Sequence, residues 1–286
     1  MALLKRVSRS FYLSVRLLPA PMRRGVCIGY LLARASDTLA DTQKDPSLLD
    51  AFAERLQSPR GAGIQPTALS PADPGEKQLL AELPEVFQAF ASLPETESAL
   101  IREVVTIILS GQRLDMRRFG AANAGHIVSL ASEEELEDYT WRVAGCVGQF
   151  WTRLGFLTLG EDFSRMDPES LEAHGIRFGQ GLQLVNILRD TAEDLALGRN
   201  YLPCARETCL LKARENLGDG LIYANAMRLK RLHVAVALPV RIGLDTLDAI
   251  ETAGPRALET RIKIPRRRVW LHFAAACKSS LSRRHG

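Results

Sequence analysis

Residues 181–194 read Gly-Leu-Gln-Leu-Val-Asn-Ile-Leu-Arg-Asp-Thr-Ala-Glu-Asp. Placed on an α-helix, Asn186, Asp190 and Asp194 repeat at i, i+4 and i+8 and share one face. Arg189 and Glu193 lie beside that line, and Gln183 stands one turn before Asn186. The surrounding residues are apolar, so the acidic line borders a helix that is otherwise buried. A second stretch has the same character. Residues 28–41 read Ile-Gly-Tyr-Leu-Leu-Ala-Arg-Ala-Ser-Asp-Thr-Leu-Ala-Asp. There Asp37 and Asp41 lie about 6 Å apart along one helical face, with Arg34 one turn earlier.

A single such pair usually marks a solvated acidic face, because like charges at this spacing repel by a few tenths of a kcal/mol. Two pairs, each in apolar surroundings and each with an arginine beside it, point to carboxylates facing a cavity. Carboxylates there call for cations. Hard oxygen donors completed by water and phosphate oxygens suit Mg²⁺, and the arginines suit bidentate contact with diphosphate oxygens. Together they would neutralise a departing diphosphate.

Outward from these stretches the periodicity is helical throughout. Hairpin signals between strand-like runs are lacking. Pro19 and Pro21 separate a first helix from one over about 22–41. Residues 57–75, rich in Pro, Gly and Ser, read as a flexible surface loop. Helical pattern resumes at Glu76, breaks at Pro84 and Pro94, and continues over 95–119. Further helices are expected from Ser132 to Leu159 and over 167–195, 209–238 and 239–253, with a last one after Pro265. The expectation is all-α, a single bundle-like domain over 1–286 around a central cavity.

The net charge is +4, too small to argue for nucleic acid. The scattered Cys27, Cys146, Cys204, Cys209 and Cys277 include no CxxC pair, which argues against structural zinc and for reduced thiols. Lys5, Arg6, Arg9 and Arg16 interrupt the first residues, so no signal-peptide stretch is expected there. No apolar run reaches a membrane span. A cytoplasmic protein is expected, with peripheral contact at the inner membrane surface allowed by the basic pI.

The motifs, taken in order, resemble the squalene/phytoene synthase family, most closely its bacterial squalene-forming members. Ser8-Arg-Ser-Phe11 is similar to the family's N-terminal signature. Tyr30, Arg34, Asp37 and Asp41 match its first aspartate motif. Gly111-Gln-Arg-Leu-Asp115 occupies its central segment, and Tyr139 with Val143-Ala-Gly-Cys-Val-Gly148 its VAG motif. Gln183, Asn186, Arg189, Asp190, Glu193 and Asp194 match the second aspartate motif, followed by Tyr201-Leu-Pro203. Lys263-Ile-Pro-Arg266 corresponds to a basic segment near the end.

The resemblance implies an isoprenoid synthase fold and Mg²⁺ held by Asp37, Asp41, Asp190 and Asp194, with Asn186 nearby. It implies two farnesyl diphosphates joined head to head through presqualene diphosphate, with NADPH supplying the hydride that gives squalene. Presqualene diphosphate, dehydrosqualene and phytoene remain alternative products. A non-catalytic helical scaffold is the alternative outside enzymology. Ser8, Ser10, Arg34 and Arg189 are candidate diphosphate contacts, with helix caps and surface ion pairs as their plain alternatives. Tyr30 and Tyr139 are candidates for stabilising a carbocation, and Phe11 for lining the cavity. Gly145 and Gly148, costly mid-helix, indicate close helix packing or room for a prenyl chain. One departure stands out. Some members have tyrosine immediately before the VAG, where this chain has Trp141-Arg142. Arg142 becomes a candidate diphosphate contact, and the departing diphosphate a candidate base. Gly179 and Gly181 follow no strand and form no dinucleotide fingerprint, so NADPH rests on the resemblance alone.

Overall fold

Side-chain caps set the starts of four helices. Asp45 accepts from the Ser47 backbone N–H at 2.9 Å and opens α4 (Pro46–Gln57). Asp73 accepts from Gly75 and Glu76 and opens α5 (Pro74–Ala81). Ser132 accepts from Glu135, whose carboxylate accepts in return from Ala131, and α8 (Glu133–Thr140) begins there. Asp167 caps the longest helix, α10 (Pro168–Ala196), through Ser170. The computed structural model describes residues 1–8, 11–43, 45–59 and 71–281. Part of the expected loop, 60–70, lies outside these residues.

The chain is helical nearly throughout, as its periodicity predicts. α1 (Ala2–Val7), α2 (Phe11–Leu17) and α3 (Ala20–Gln43) precede α4 and α5. After them come α6 (Leu83–Ala91) and α7 (Glu95–Arg118). α8 runs into a π-helical turn at Trp141–Gly145 and then α9 (Cys146–Leu159). α10 is followed by α11 (Arg206–Ala226), α12 (Lys230–Ala253) and α13 (Arg266–Leu281). Two short strands, β1 (Val128–Ser129) and β2 (Arg199–Asn200), pair in parallel. Among the described residues no helix is long and apolar enough to cross a membrane.

The structure corrects two boundaries. Pro21 sits in the first turn of α3, where its missing N–H costs nothing, so the helix starts at Ala20. Pro239 lies inside α12 and does not begin a helix. The break falls at 227–229 instead, because that backbone pairs with the segment after α9. Arg165 N–H donates to Ala226 O at 2.9 Å, and Arg228 N–H to Phe163 O at 3.2 Å. Tertiary hydrogen bonds therefore end α11, a cause invisible in local propensity.

α10 packs against α8, α9, α11 and α12. Its approach to α9 is close because both helices offer glycine. A Cβ on Gly148 would stand 1.9 Å from the Gly175 carbonyl oxygen, and one on Gly179 2.3 Å from that of Ala144. Apolar side chains from α1–α7, α9 and α12 form one core, and those of α10–α12 with Phe119, Leu130 and Leu136 form a second.

Candidate active site

A cavity of about 880 Å³ lies among α3, α7, α9, α10 and α12. Its character changes along α10. Gly175, Phe178 and Leu182 line one stretch, and Gln183, Asn186, Arg189 and Asp190 the next. At 1.5 Å per residue, Gly175 and Asp190 are about 22 Å apart. Aromatic rings crowd the apolar stretch. Phe11 stacks on Tyr30 with centroids 4.9 Å apart, and Trp151 stands 6.2 Å from Phe11. Tyr223 also lines the cavity, its hydroxyl 2.9 Å from Thr152 Oγ1. Pro239 cannot bond the Ala235 carbonyl in the usual helical way, and both residues face the cavity.

Asp37 and Asp41 line the polar end from α3. Gln112 Nε2, reaching from α7, donates to Asp37 Oδ1 at 2.6 Å and to Ser36 Oγ at 3.0 Å. Its own Oε1 is buried without a partner among the described residues. Arg34 Nη1 is 3.9 Å from Asp37, while its other nitrogen is bound to Glu76 of α5. Although 43% of the Asp37 side chain is accessible, that surface opens into the cavity. Burial accordingly pushes its carboxyl up to about 6, outweighing Arg34 and Gln112.

On α10, Arg189 donates two bonds to Asp190, at 2.8 and 2.6 Å. Arg261 stands on the other side, 2.8 Å from Asp190 and 3.0 Å from Glu193. Asp190 is thus neutralised by two guanidiniums. Asp194, one turn on, is pushed up to about 6, by burial first and by Asp190 next. Asn186 donates to Gln183 at 3.3 Å.

Between the two aspartate helices stands a group to which the sequence reading assigned no role. Tyr201 donates its hydroxyl to Asp115 Oδ1 at 2.7 Å, and Arg199 lies 3.7 Å from Asp115 Oδ2. The Tyr139 ring stacks on Tyr201 at 5.1 Å, and Phe119 closes on it at 4.8 Å. Burial raises Asp115 and lifts both phenols well above the usual tyrosine range. The β1–β2 pair holds Arg199 in register with Val128, which places Tyr201 over the cavity.

The structure brings Phe11, Tyr30, Arg34, Asp37, Asp41, Tyr139, Gln183, Asn186, Arg189 and Asp190 to this cavity. It places other candidates elsewhere. Ser8 is buried and donates to Leu4 O at 2.6 Å, closing α1. Neither Asp194 nor Arg142 is among the lining residues; Asp194 lies one turn beyond Asp190, and Arg142 bonds Asp138 at 2.9 Å and Ser110 at 2.9 Å. Arg142 belongs to the π-helical turn, which is pressed against Gly111. Ser10 lies outside the described residues. Sequence reading gave no role to Gln112, Asp115, Arg199, Tyr201 or Arg261. For Gln112 and Asp115 a signal existed, since one helical turn separates them inside a motif. Arg261 had none, because only the turn after α12 brings it to α10.

Among the described residues no three carboxylate, histidine or cysteine side chains form a closed metal cluster. The carboxylates sit in two sets on separate walls. That suits Mg²⁺, which keeps waters and takes phosphate oxygens alongside one or two carboxylates. The raised Asp37 carboxyl and the unpartnered Gln112 oxygen fit a cation at this end. No comparable fit exists for a dinucleotide at the GxG. Gly179 packs on Ala144 and Gly181 on Asn216, so packing occupies both.

Comparison with known proteins supplies the family and the fold. The family model for squalene/phytoene synthase matches residues 4–206. Human squalene synthase is 30% identical over 207 residues, covering 70% of this chain and 45% of that protein. The 15-cis-phytoene synthase of Synechocystis is 30% identical over 206 residues, covering 68% and 52%. A bifunctional lycopene cyclase/phytoene synthase of Pyrenophora tritici-repentis is 31% identical over 201 residues, covering 70% and 33%. The chain thus spans a third to about half the length of these relatives. Among solved structures, the complex of TcSQS with the ligand E5700 superposes with a TM-score of 0.79 at 21% identity, covering 98% of this chain and 87% of that one. The squalene synthase HpnC of Alicyclobacillus acidocaldarius gives 0.60 at 21%, covering 87% and 92%. At these identities the two structures establish a shared fold. With the matched region running from within α1 to the start of α11 and enclosing both aspartate motifs, the chain belongs to the squalene/phytoene synthase family.

Proposed function

We propose that this chain joins two farnesyl diphosphates head to head through presqualene diphosphate and forms squalene, with Mg²⁺ assisting loss of diphosphate and NADPH as hydride donor. One observation carries the reading: a cavity with carboxylates on two walls at one end and an aromatic, apolar stretch beyond. The carboxylate end suits diphosphate groups with their cations, and the apolar stretch suits prenyl chains.

In this reading Asp37 and Asp41 on one wall, and Asp190 and Asn186 on the other, with Asp194 one turn beyond, would hold Mg²⁺. The ion would supply charge neutralisation to the departing diphosphate. Arg34, Arg189 and Arg199 orient diphosphate oxygens. The faces of Phe11, Tyr30, Trp151 and Tyr139 exclude water and stabilise an allylic cation. Tyr139 and Tyr201 hold their protons, because burial raises both phenols. Each can donate a hydrogen bond, and neither serves as a phenolate base. The departing diphosphate is then the proton acceptor when the cyclopropane ring closes.

A second reading, phytoene formation from the C20 homologue, is favoured by one observation. A squalene synthase and a phytoene synthase match the chain at the same 30% identity. Mass spectrometry of products from farnesyl diphosphate and Mg²⁺, with and without NADPH, separates the outcomes. Squalene only with NADPH supports the proposal. Presqualene diphosphate or dehydrosqualene in both conditions keeps the condensation and removes the reduction. Phytoene from the C20 homologue alone replaces the substrate. No product from either substrate leaves a helical scaffold.

A further inference from the structure

The segment 263–281 holds five cations, Lys263, Arg266, Arg267, Arg268 and Lys278, and no carboxylate. The whole chain has a net charge of +4, so this segment alone exceeds the chain's net charge. Most of it is α13, which packs on α12 through one buried carboxylate. Asp245, 4% exposed, accepts from His272 Nε2 at 2.8 Å and pairs with Arg268. Ala276 and Ser280 are buried on that same side.

The outer face is different. Arg267, Trp270, Leu271, Ala274 and Lys278 follow i, i+3, i+4, i+7 and i+11, and all are exposed. Trp270 is 58% and Leu271 66% accessible. The Trp270 ring meets Phe273 edge to face, with centroids 6.0 Å apart. A tryptophan beside a leucine, with cations at both ends of the band, is the pattern of a helix lying in a membrane interface. A protein partner fits less well. Trp270 and Leu271 are the exposed large apolar side chains of this face, a narrow strip between cations, whereas the centre of a stable protein interface is depleted of charge. The concentrated positive charge is complementary to anionic headgroups.

We propose that α13 docks this protein on an anionic lipid surface, with the Arg267–Trp270–Leu271–Ala274–Lys278 face lying in the headgroup layer. This inference rests on α13 alone and is independent of the reaction.

The test is co-sedimentation of the full chain with phosphatidylcholine vesicles, with and without phosphatidylglycerol. Binding is expected only with phosphatidylglycerol and should weaken as salt rises. The double variant Trp270→Glu/Leu271→Glu should lose at least tenfold in affinity. Arg266→Glu/Arg267→Glu should lose roughly fivefold or more per arginine. Both pairs are exposed, so thermal melts should match the parent and show that the fold is kept. Absence of vesicle binding overturns the proposal, as does equal binding by parent and variants. A dimer that the Trp270→Glu/Leu271→Glu variant dissolves, without vesicle binding, would assign the face to a second copy and overturn it equally.

Discussion

Gly148→Ala tests the packing that shapes the cavity. The added Cβ would stand 1.9 Å from Gly175 O, 2.4 Å from Gly175 C and 3.0 Å from Ile176 N. Ordinary contact begins near 3.4 Å, so α9 and α10 must separate by about 1.5 Å along that direction. The obstructing atoms are backbone, and no rotamer change relieves them. Nearby contacts would separate too, including Gly179 against Ala144 and the Thr152–Tyr223 hydroxyl pair. Overpacking of this kind costs roughly 1–3 kcal/mol or more. A backbone clash at 1.9 Å belongs at the upper end of that range, and alanine recovers about 1 kcal/mol in helix propensity, which leaves a net loss of about 2 kcal/mol. Gly218→Ala is the control. Gly218 lies in α11 with no atom within 4 Å of its Cβ position, so the same chemical change should stabilise by about 0.5–1 kcal/mol. Urea midpoints and thermal melts measure both. For a chain of this size Gly148→Ala should melt about 4 °C lower and Gly218→Ala 1–2 °C higher, at roughly 2 °C per kcal/mol. Equal stability of the two variants would refute the close-packing argument.

Asp37→Asn should lower turnover of farnesyl diphosphate by about 10² or more, since one anionic donor is lost where charge must be neutralised; normal turnover would remove Asp37 from the mechanism. Asp37 and Asp194 are both raised to about 6, so metal must compete with protons there. Mn²⁺ or Mg²⁺ affinity, read by calorimetry with a diphosphate analogue, should fall about tenfold per pH unit per required carboxylate below pH 6 and level off above about 7. In metal-free protein the sign reverses. The folded state holds these protons more tightly than the unfolded chain, whose aspartates titrate near 3.8. Stability from these groups is therefore lost as pH rises from about 4 through 6, and Asp37→Asn should flatten that slope in melts across pH. Tyr201→Phe keeps the rings stacked but removes the donor to Asp115, and should cost about 2 kcal/mol in urea unfolding; an unchanged midpoint would show that the bond contributes nothing.

Much of the site was legible because helices translate sequence spacing into shared faces. Asn186 and Asp190 on α10, and Asp37 and Asp41 on α3, line the cavity as their four-residue spacing predicts, whereas Asp194, the third of its line, is not among the lining residues. Arg34 and Arg189 also line it, yet their partners differ from simple expectation. Arg34 is bound to Glu76 and Arg189 to Asp190. Arg142 went elsewhere because its guanidinium pairs with Asp138, four residues earlier, and with Ser110 of α7, a neighbour that only the tertiary structure supplies.

By itself the sequence determined the helical class, several helix starts and the two acidic faces. Each depends on interactions within a few residues: caps, the 3.6-residue period and i, i+4 neighbours. Tertiary structure alone decided what stands between those faces. Tyr201 meets Asp115 across 86 positions of chain, and Arg261 meets Glu193 across 68. Tertiary structure also ended α11 at Ala226, through backbone bonds to a distant segment, and kept Pro239 within α12 against the cavity. Such contacts follow from how closely helices approach, which here depends on whether a glycine on one helix meets a carbonyl on the next. No local rule carries that information, because it belongs to pairs of residues far apart in the chain.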